Sequence, residues 1–213
     1  MIAIDGTSAS GKSTNSKLVA KALGFVYVDT GAMYRTLGWH CLTKRVDIHD
    51  SKAVAAACRK WKTTLVCVEK NGLKFARLLV DGYFPEAEIR TAEVSMATSL
   101  MAAIPKVRDW MKDTQRSCIQ FGNLVMEGRD IGTNVFPETD YKFYLDAHIE
   151  ERTKRRESEG VSENLAARDK QDSQRAAAPL MIALGAKVIN NSNMSSEQTS
   201  ELIIAEIRKQ LPG

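Results

Sequence analysis

Cysteine, histidine and aromatic residues are all sparse in this chain, and each scarcity removes a class of function. The four cysteines, Cys41, Cys58, Cys67 and Cys118, show no C-x-x-C spacing and no histidine at ligand spacing. A structural zinc site and a disulfide framework are therefore not expected, and free thiols suit a reducing compartment. The three histidines, His40, His49 and His148, sit in no recognisable motif, so they are expected to be structural or surface residues rather than catalytic bases. Aromatic residues make up 7% and no concentrated basic stretch occurs, which argues against a nucleic-acid partner. No apolar run approaches the ~20 residues that span a bilayer. The opening MIAIDG carries no basic n-region and no long apolar core, so the expectation is a cytoplasmic protein without membrane association. The N-K-x-D motif by which GTPases read guanine is missing as well.

What remains is ordinary for a folded chain: 213 residues, 44% hydrophobic, 26% charged and a net charge of +4. That length fits one sizeable α/β domain with a small insertion. The mild positive charge suits polyanionic small molecules as well as nucleic acid and decides neither.

One run is informative at once. IDGTSASGKST, Ile4 to Thr14, contains the pattern G-x-x-x-x-G-K-[ST] that cradles nucleotide phosphates. Gly6 and Gly11 permit backbone angles closed to other residues, so that successive N–H groups across Thr7, Ser8, Ala9 and Ser10 converge on phosphate oxygens. The helix that follows adds its positive N-terminal end. Lys12 supplies a full charge, the Ser13 hydroxyl is placed to ligate Mg²⁺, and Thr14 closes the motif. A chance match is expected in roughly one chain in a hundred, but here the pattern also lies between an apolar strand, Ile2–Asp5, and a helix with Leu18, Val19, Ala22 and Leu23 at helical spacing. Such a loop serves GTPases, motor ATPases and small-molecule kinases alike. With no guanine motif and no long chain, a kinase for a small metabolite needs the fewest additional parts.

The rest of the chain reads as alternating strands and helices, an α/β signature. Phe25–Val28 is a strand and DTGAMYRTLGWHCL starts a helix. Between Thr63 and Leu79 two β-rich runs flank Lys70-Asn71-Gly72, and Asn-Gly is the strongest short hairpin signal. Residues 63–90 are therefore expected to form a small insertion, and residues 1–62 with 91–213 the core. Helical periodicity returns from Ile89 to Arg116, with Pro105 starting a second helix. Leu124–Glu127 and Lys142–Leu145 read as buried parallel strands, Ile149–Arg156 as a charged helix, AKVIN as a further strand and Glu197–Leu211 as a final helix. From Glu157 to Arg175 only Val161 and Leu165 offer apolar anchors, so this segment is expected to be mobile or to order on binding.

Arginines are placed where a second phosphate site would need them. Transfer between two nucleotides requires cations beyond Lys12 and Mg²⁺ to hold two phosphates in line. The attacking phosphate oxygen is already largely ionised near neutral pH, its second pKa being near 6, so no general base is needed. Thr30 and Arg35 follow one predicted strand, and Arg129 and Asp130 follow another, at the carboxyl edge where open α/β sheets bind ligands. Arg168, Asp172 and Arg175 are spaced to share one helical face.

Taken together, IDGTSASGKST, VYVDTGAMYR, AEIRT, IPKVRD, EGRDIGTNVFP and RAAAPL resemble the bacterial-type cytidylate kinases in order and spacing, from Ile2 to about Lys209. The resemblance implies the nucleoside-monophosphate kinase fold: a P-loop NTPase-type parallel sheet flanked by helices, a β-rich insertion and a mobile lid, here about residues 150–175. It implies ATP as phosphoryl donor, CMP or dCMP as acceptor, a requirement for Mg²⁺, and a monomer. By motif, Thr30, Arg35 and Arg129 would hold the CMP phosphate, with the 63–90 insertion beside it. Ser99, Arg108, Asp130 and Arg175 would surround the cytosine, Arg168 and Asp172 would reach the ribose, and Arg152, Arg155 and Arg156 would close on the ATP phosphates. A kinase for another acceptor such as UMP, or a non-catalytic nucleotide-binding regulator, are the alternatives. Three departures stand out: Thr7 and Ala9 in the loop where the family usually has proline and glycine, a stretch from Arg156 to Arg168 shorter than usual, and Asn190-Asn191 where an acidic residue is common.

Overall fold

A computed structural model describes residues 1–158, 160 and 164–210. Its frame is a seven-stranded sheet in the order β3-β4-β2-β5-β1-β6-β7. The strands are β1 (Ile2–Gly6), β2 (Val26–Asp29), β3 (Thr63–Lys70), β4 (Leu73–Val80), β5 (Leu124–Gly128), β6 (Tyr141–Asp146) and β7 (Lys187–Asn190). Every neighbouring pair is parallel except the β3–β4 hairpin. Buried parallel strands need apolar side chains on both faces, and the three central ones supply them. Ile2, Ile4, Tyr27 and Val125 enter one core layer, while Ala3, Val26, Val28, Leu124 and Met126 enter the other. This is the two-residue alternation of a strand placed between two helical layers.

Helices α1 (Lys12–Leu23) and α8 (Ser196–Gln210) cover the first face through Val19, Ala20, Ile203 and Ile207. The opposite layer holds α2 (Thr30–Thr43), α3 (Ser51–Lys60), α4 (Ala92–Met101) and α5 (Pro105–Arg116), which contribute Met33, Leu37, Val54, Met101, Val107 and Met111. Each such side chain, fully buried, stabilises the fold by about 1.5–3 kcal/mol relative to an exposed one. Because β1, β2, β5 and β6 run parallel, their carboxyl ends lie side by side. The segments leaving those ends carry the phosphate loop, Thr30, Arg129 and helix α6 (Ile149–Ser158).

Three elements differ from the sequence expectations. The 63–90 region does fold around an Asn71-Gly72 turn, with φ of 56° and 72°, the positive pair that a two-residue hairpin requires. What the sequence did not indicate is its attachment: β4 pairs in parallel with β2, Val26 opposite Lys74, so the hairpin extends the main sheet. The second difference is in the polar segment after α6. It contains helix α7 (Leu165–Ser173), begun by the Asn164 side chain accepting from the Ala167 N–H and anchored by buried Leu165 and Asp172. Residues 159 and 161–163 of the expected lid, including the Val161 anchor, lie outside the described residues. Third, α1 buries Lys12, Asn15, Ser16, Val19 and Ala20, whereas Ala22 is exposed. The first half of that helix faces the phosphate loop, and its inner side is polar; in the second half it is Val19 and Ala20 that turn inward, not Ala22.

His40 packs edge-on against Trp61, 4.3 Å between ring centres, and lies 3.4 Å from Asp81, with burial lowering its pKa. His49 and His148 are exposed. All four cysteines are free thiols, and only Cys67 is exposed.

Candidate active site

The loop between β1 and α1 is shaped by close contacts that only certain residues allow. A Cβ on Gly6 would fall 2.0 Å from the Leu145 carbonyl oxygen, so that position must be glycine. Gly11 caps α1 with φ 85°. Ala9 has φ 57°, a left-handed conformation costing an L-residue roughly 1 kcal/mol. Thr7 fastens the loop to the end of β6, its hydroxyl donating to Asp146 Oδ1 at 2.8 Å.

Lys12 is buried in the floor of the loop, its ammonium donating to the Thr7 carbonyl and the Ser10 hydroxyl. Burial, with Arg129 adding to it, pushes its pKa down to about 7, while Glu127 and Asp5 pull the other way. An ammonium so poorly solvated has a strong tendency to recruit an anion. Ser13 and Thr14 are exposed beside it.

Two recesses open from this point. One, of about 390 Å³, lies along the start of α1, between Gly11–Asn15, Arg155 of α6 and the Asn191–Thr199 turn into α8. Here Asn191 Nδ2 donates to the Ser10 carbonyl at 2.9 Å, and Arg155 donates to both the Asn191 side chain and its carbonyl. The neutral pair Asn190-Asn191 therefore has work that acids would not do: an aspartate at 191 has no donor for Ser10. Asn190 Oδ1 accepts from the N–H and hydroxyl of Ser192, a task any carboxyl-type oxygen can perform.

The other recess, of about 170 Å³, is lined by Thr30, Tyr34, Arg35, Arg108, Arg129, Asp130, Arg168, Asp172 and Arg175, with Arg90 at its edge. The Thr30 hydroxyl donates to the Glu127 carbonyl at 2.7 Å. Arg35 pairs with Asp29 at 3.2 Å. Gly31 and Gly128 keep the floor open: a Cβ on Gly128 would come within 2.8 Å of the Thr30 hydroxyl.

Deeper in, Arg108 from α5 bonds Asp130 at 2.5 Å and the Ala102 carbonyl at 3.1 Å. Asn134 donates to the same Asp130 oxygen. Arg129 Nε donates to Asp172 Oδ2 at 2.8 Å, and Arg175 donates to the other Asp172 oxygen. Burial alone would raise the Asp172 pKa, but Arg129 and Arg175 hold it below the usual carboxylate value. Helix α7 is thereby bolted to the β5 loop by charge rather than by apolar contact.

The two recesses share Ala9, Lys12, Ser13 and Arg156. An anion held in each would meet at Lys12.

Two expected positions fall elsewhere, and a third reaches its recess from outside the helix expected to carry it. Ser99 lines a neighbouring hollow between α4 and α7, and Thr98 borders the arginine recess instead; one residue along a helix rotates a side chain by about 100°. Arg152 lines neither recess. It is buried and bonded to the Ala147 and Ser8 carbonyls and to Asp169. Arg175 lies beyond the end of α7 and reaches Asp172 from the loop that follows, not from a shared helical face.

Sequence reasoning also missed two buried carboxylates. Asp5 accepts the N–H groups of Ile131 and Gly132 at 2.9 and 2.7 Å. Burial, with Asp130 adding, raises its pKa to about 6, against the lowering effect of those two bonds and of Lys12. Glu127 accepts the Tyr27 hydroxyl; burial and Asp29 raise its pKa, while Lys12 lowers it. Both end an apolar strand at the ligand edge, and that position was the available signal. Among the described residues no group of three or more His, Cys, Asp or Glu is placed to hold a metal. The oxygen donors beside the loop, Ser13 with Glu127 interacting with it, suit a hard ion that keeps water and phosphate oxygens as its remaining ligands.

Residues 2–209 match the family described as cytidylate kinase. Relatives named Cytidylate kinase include one from Pelotomaculum thermopropionicum, 38% identical over 217 residues, spanning 97% of this chain and 95% of that protein. One from Caldanaerobacter subterraneus subsp. tengcongensis is 37% identical over 223 residues, spanning 100% and 96%. One from Geobacillus kaustophilus is 39% identical over 221 residues, spanning 99% and 97%. The crystal structure of TT1252 from Thermus thermophilus aligns with 100% of this chain and 97% of its own, with a TM-score of 0.50 and 18% sequence identity, a likeness of fold alone.

Proposed function

The chain belongs to the cytidylate kinase family, and from that premise we propose how its two recesses divide the transfer of a phosphoryl group from ATP to CMP. It is an ATP-dependent nucleoside monophosphate kinase forming ADP and CDP. The recess along α1 takes ATP, its phosphates on the loop Gly6–Thr14, with Arg155 and Arg156 closing on them. The arginine recess takes CMP or dCMP. The observation supporting this division is the meeting of both recesses at Lys12, Ser13 and Arg156, where a donor and an acceptor phosphate would face each other.

Within the acceptor recess, Thr30, Arg35 and Arg129 hold the CMP phosphate, and Arg168 with Asp172 reaches the ribose. The Arg108–Asp130 pair and Arg175 read the base. Cytosine presents an amino donor and ring acceptors, whereas uracil reverses the pattern at positions 3 and 4. A buried donor or acceptor left unpaired against the wrong base costs on the order of 1–3 kcal/mol. Mg²⁺, held through the Ser13 hydroxyl, would offset charge on the transferring phosphates. Lys12 and the loop N–H groups orient the donor, and the ionised CMP oxygen attacks in line without a base. Packing of α6 and α7 over the loop excludes water, which would otherwise compete as acceptor.

The family resemblance supports reading the chain as a monomer, acting in the cytoplasm without nucleic acid. Among the described residues no helix is long and apolar enough to cross a membrane.

The division of sites is tested with Arg129→Ala. The expected result is a CMP KM raised by at least about tenfold, the loss of a charge-assisted phosphate contact, with ADP affinity changed by less than about twofold. A collapse of ADP affinity with CMP affinity retained would reverse the assignment.

A further inference from the structure

Ala9 raises a question that neither recess answers: what holds an alanine at φ 57° in a loop that must keep one shape. The angle φ of residue 9 is the rotation about its N–Cα bond, so Ala9 keeps its conformation only while the peptides on both sides are held; on the far side the Ser10 N–H donates to the Thr7 carbonyl at 3.4 Å. On the near side the Ser8 carbonyl, in the Ser8–Ala9 peptide, accepts from Arg152 Nη1 at 3.1 Å. The Ser8 N–H, one peptide earlier, donates to Asp169 Oδ1 at 3.1 Å. Arg152 and Asp169 are bonded to each other, and Arg152 Nε is fastened to the Ala147 carbonyl just beyond β6 at 2.9 Å. Ser8 is thus gripped at both its polar backbone atoms by an ion pair from outside the loop, one partner on α6 and the other on α7. Ser8 and Arg152 are both buried, so water does not compete for these bonds.

The geometry points to a brace: Arg152 and Asp169 are positioning residues that hold the two peptides flanking Ser8, Arg152 the Ser8–Ala9 peptide and Asp169 the Thr7–Ser8 peptide, and so keep Ala9 in the left-handed conformation the phosphate loop requires. Neither residue touches the reacting atoms. The consequence is a link between the lid and the loop, because moving α7 away withdraws Asp169, frees the Ser8 N–H and removes the carboxylate that aims Arg152 at the Ser8 carbonyl. Without the brace Ala9 relaxes toward ordinary angles, the fraction of loops competent to bind falls, and apparent affinity falls with it. Glycine at this position would carry no such strain and would not need the brace.

This inference rests on the donor-loop reading above and is separable from it. ADP affinity is measured by titration calorimetry on the full chain, on Asp169→Asn, on Ala9→Gly and on the double variant. The brace predicts that Asp169→Asn weakens ADP binding about fivefold when Ala9 is present, the equivalent of about 1 kcal/mol of backbone strain. When Ala9→Gly is also present, the same substitution should cost about twofold at most. Arg152→Lys keeps the charge but loses the planar guanidinium whose Nε is fastened to Ala147 while Nη1 serves Ser8 and Asp169, and it should give the same pattern if Asp169→Asn folds poorly. An equal penalty in both loop backgrounds, or none in either, overturns the brace. Absence of ADP binding by the unaltered chain would overturn the donor-loop reading itself.

Discussion

Asp5 shows what a single buried group controls. Its carboxylate accepts two backbone N–H groups at the start of the turn after Asp130, so it positions the segment carrying Arg129 and Asp130. Its pKa of about 6 in the fold, raised chiefly by burial, lies above the value of 3.8 for a free side chain. Between those two values the native state binds the proton more tightly than the unfolded chain. Asp5 therefore contributes stability at pH 4 that is lost as pH rises through about 6, on the order of 3 kcal/mol at most. Urea unfolding of the unaltered chain and of Asp5→Asn from pH 4.5 to 6.5 should show this difference as a steeper loss of stability with pH in the former, since Glu127, also raised by burial, titrates in both. Parallel pH dependences would contradict it. Lys12, Arg35, Arg108 and Arg129 were legible in the sequence because they sit in motifs. Asp5 and Glu127 were not, since a carboxylate ending an apolar strand reads as the polar residue that stops the strand. Ser99 lines the neighbouring hollow rather than the arginine recess, because motif position does not fix helical phase.

At the scale of elements, signals with a local cause were read correctly and those with a tertiary cause were not. The Asn71-Gly72 turn and the Pro105 helix start depend on the backbone preferences of one or two residues, and both appear in the fold. Helix α7 carries little apolar surface and is held by Asp172 to Arg129 and Arg175, contacts that no periodicity reveals. The pairing of β4 with β2 likewise depends on which sheet edge is open. The turn between β7 and α8 acts in the same tertiary way on the donor side, where Asn191 joins Ser10 of the loop to Arg155 of α6. Asn191→Ala removes the bond to Ser10 and one of the two bonds from Arg155, the one to the backbone carbonyl surviving; each lost bond is worth about 1 kcal/mol net. The KM for ATP should rise about fivefold to tenfold while the KM for CMP changes by less than about twofold. Equal effects on both substrates in steady-state kinetics would show that the turn supports the whole molecule rather than the donor recess.

For the whole molecule, the parallel order β2-β5-β1-β6 brings four strand ends to one edge. That arrangement was legible from the alternation of strands and helices, but the meeting of two recesses at Lys12 was not, because it depends on how α6 and α7 fold back over the loop. The central claim is that these recesses hold two nucleotides whose phosphates face each other, one of them a cytidine monophosphate. The direct measurement is ADP release from ATP by the purified chain with CMP, dCMP, UMP or no acceptor present. The account predicts turnover with CMP and dCMP, a kcat/KM for UMP lower by about tenfold or more as expected for unpaired polar groups at the base, and almost no ADP without an acceptor. Turnover that is independent of acceptor, or faster with UMP than with CMP, would contradict it.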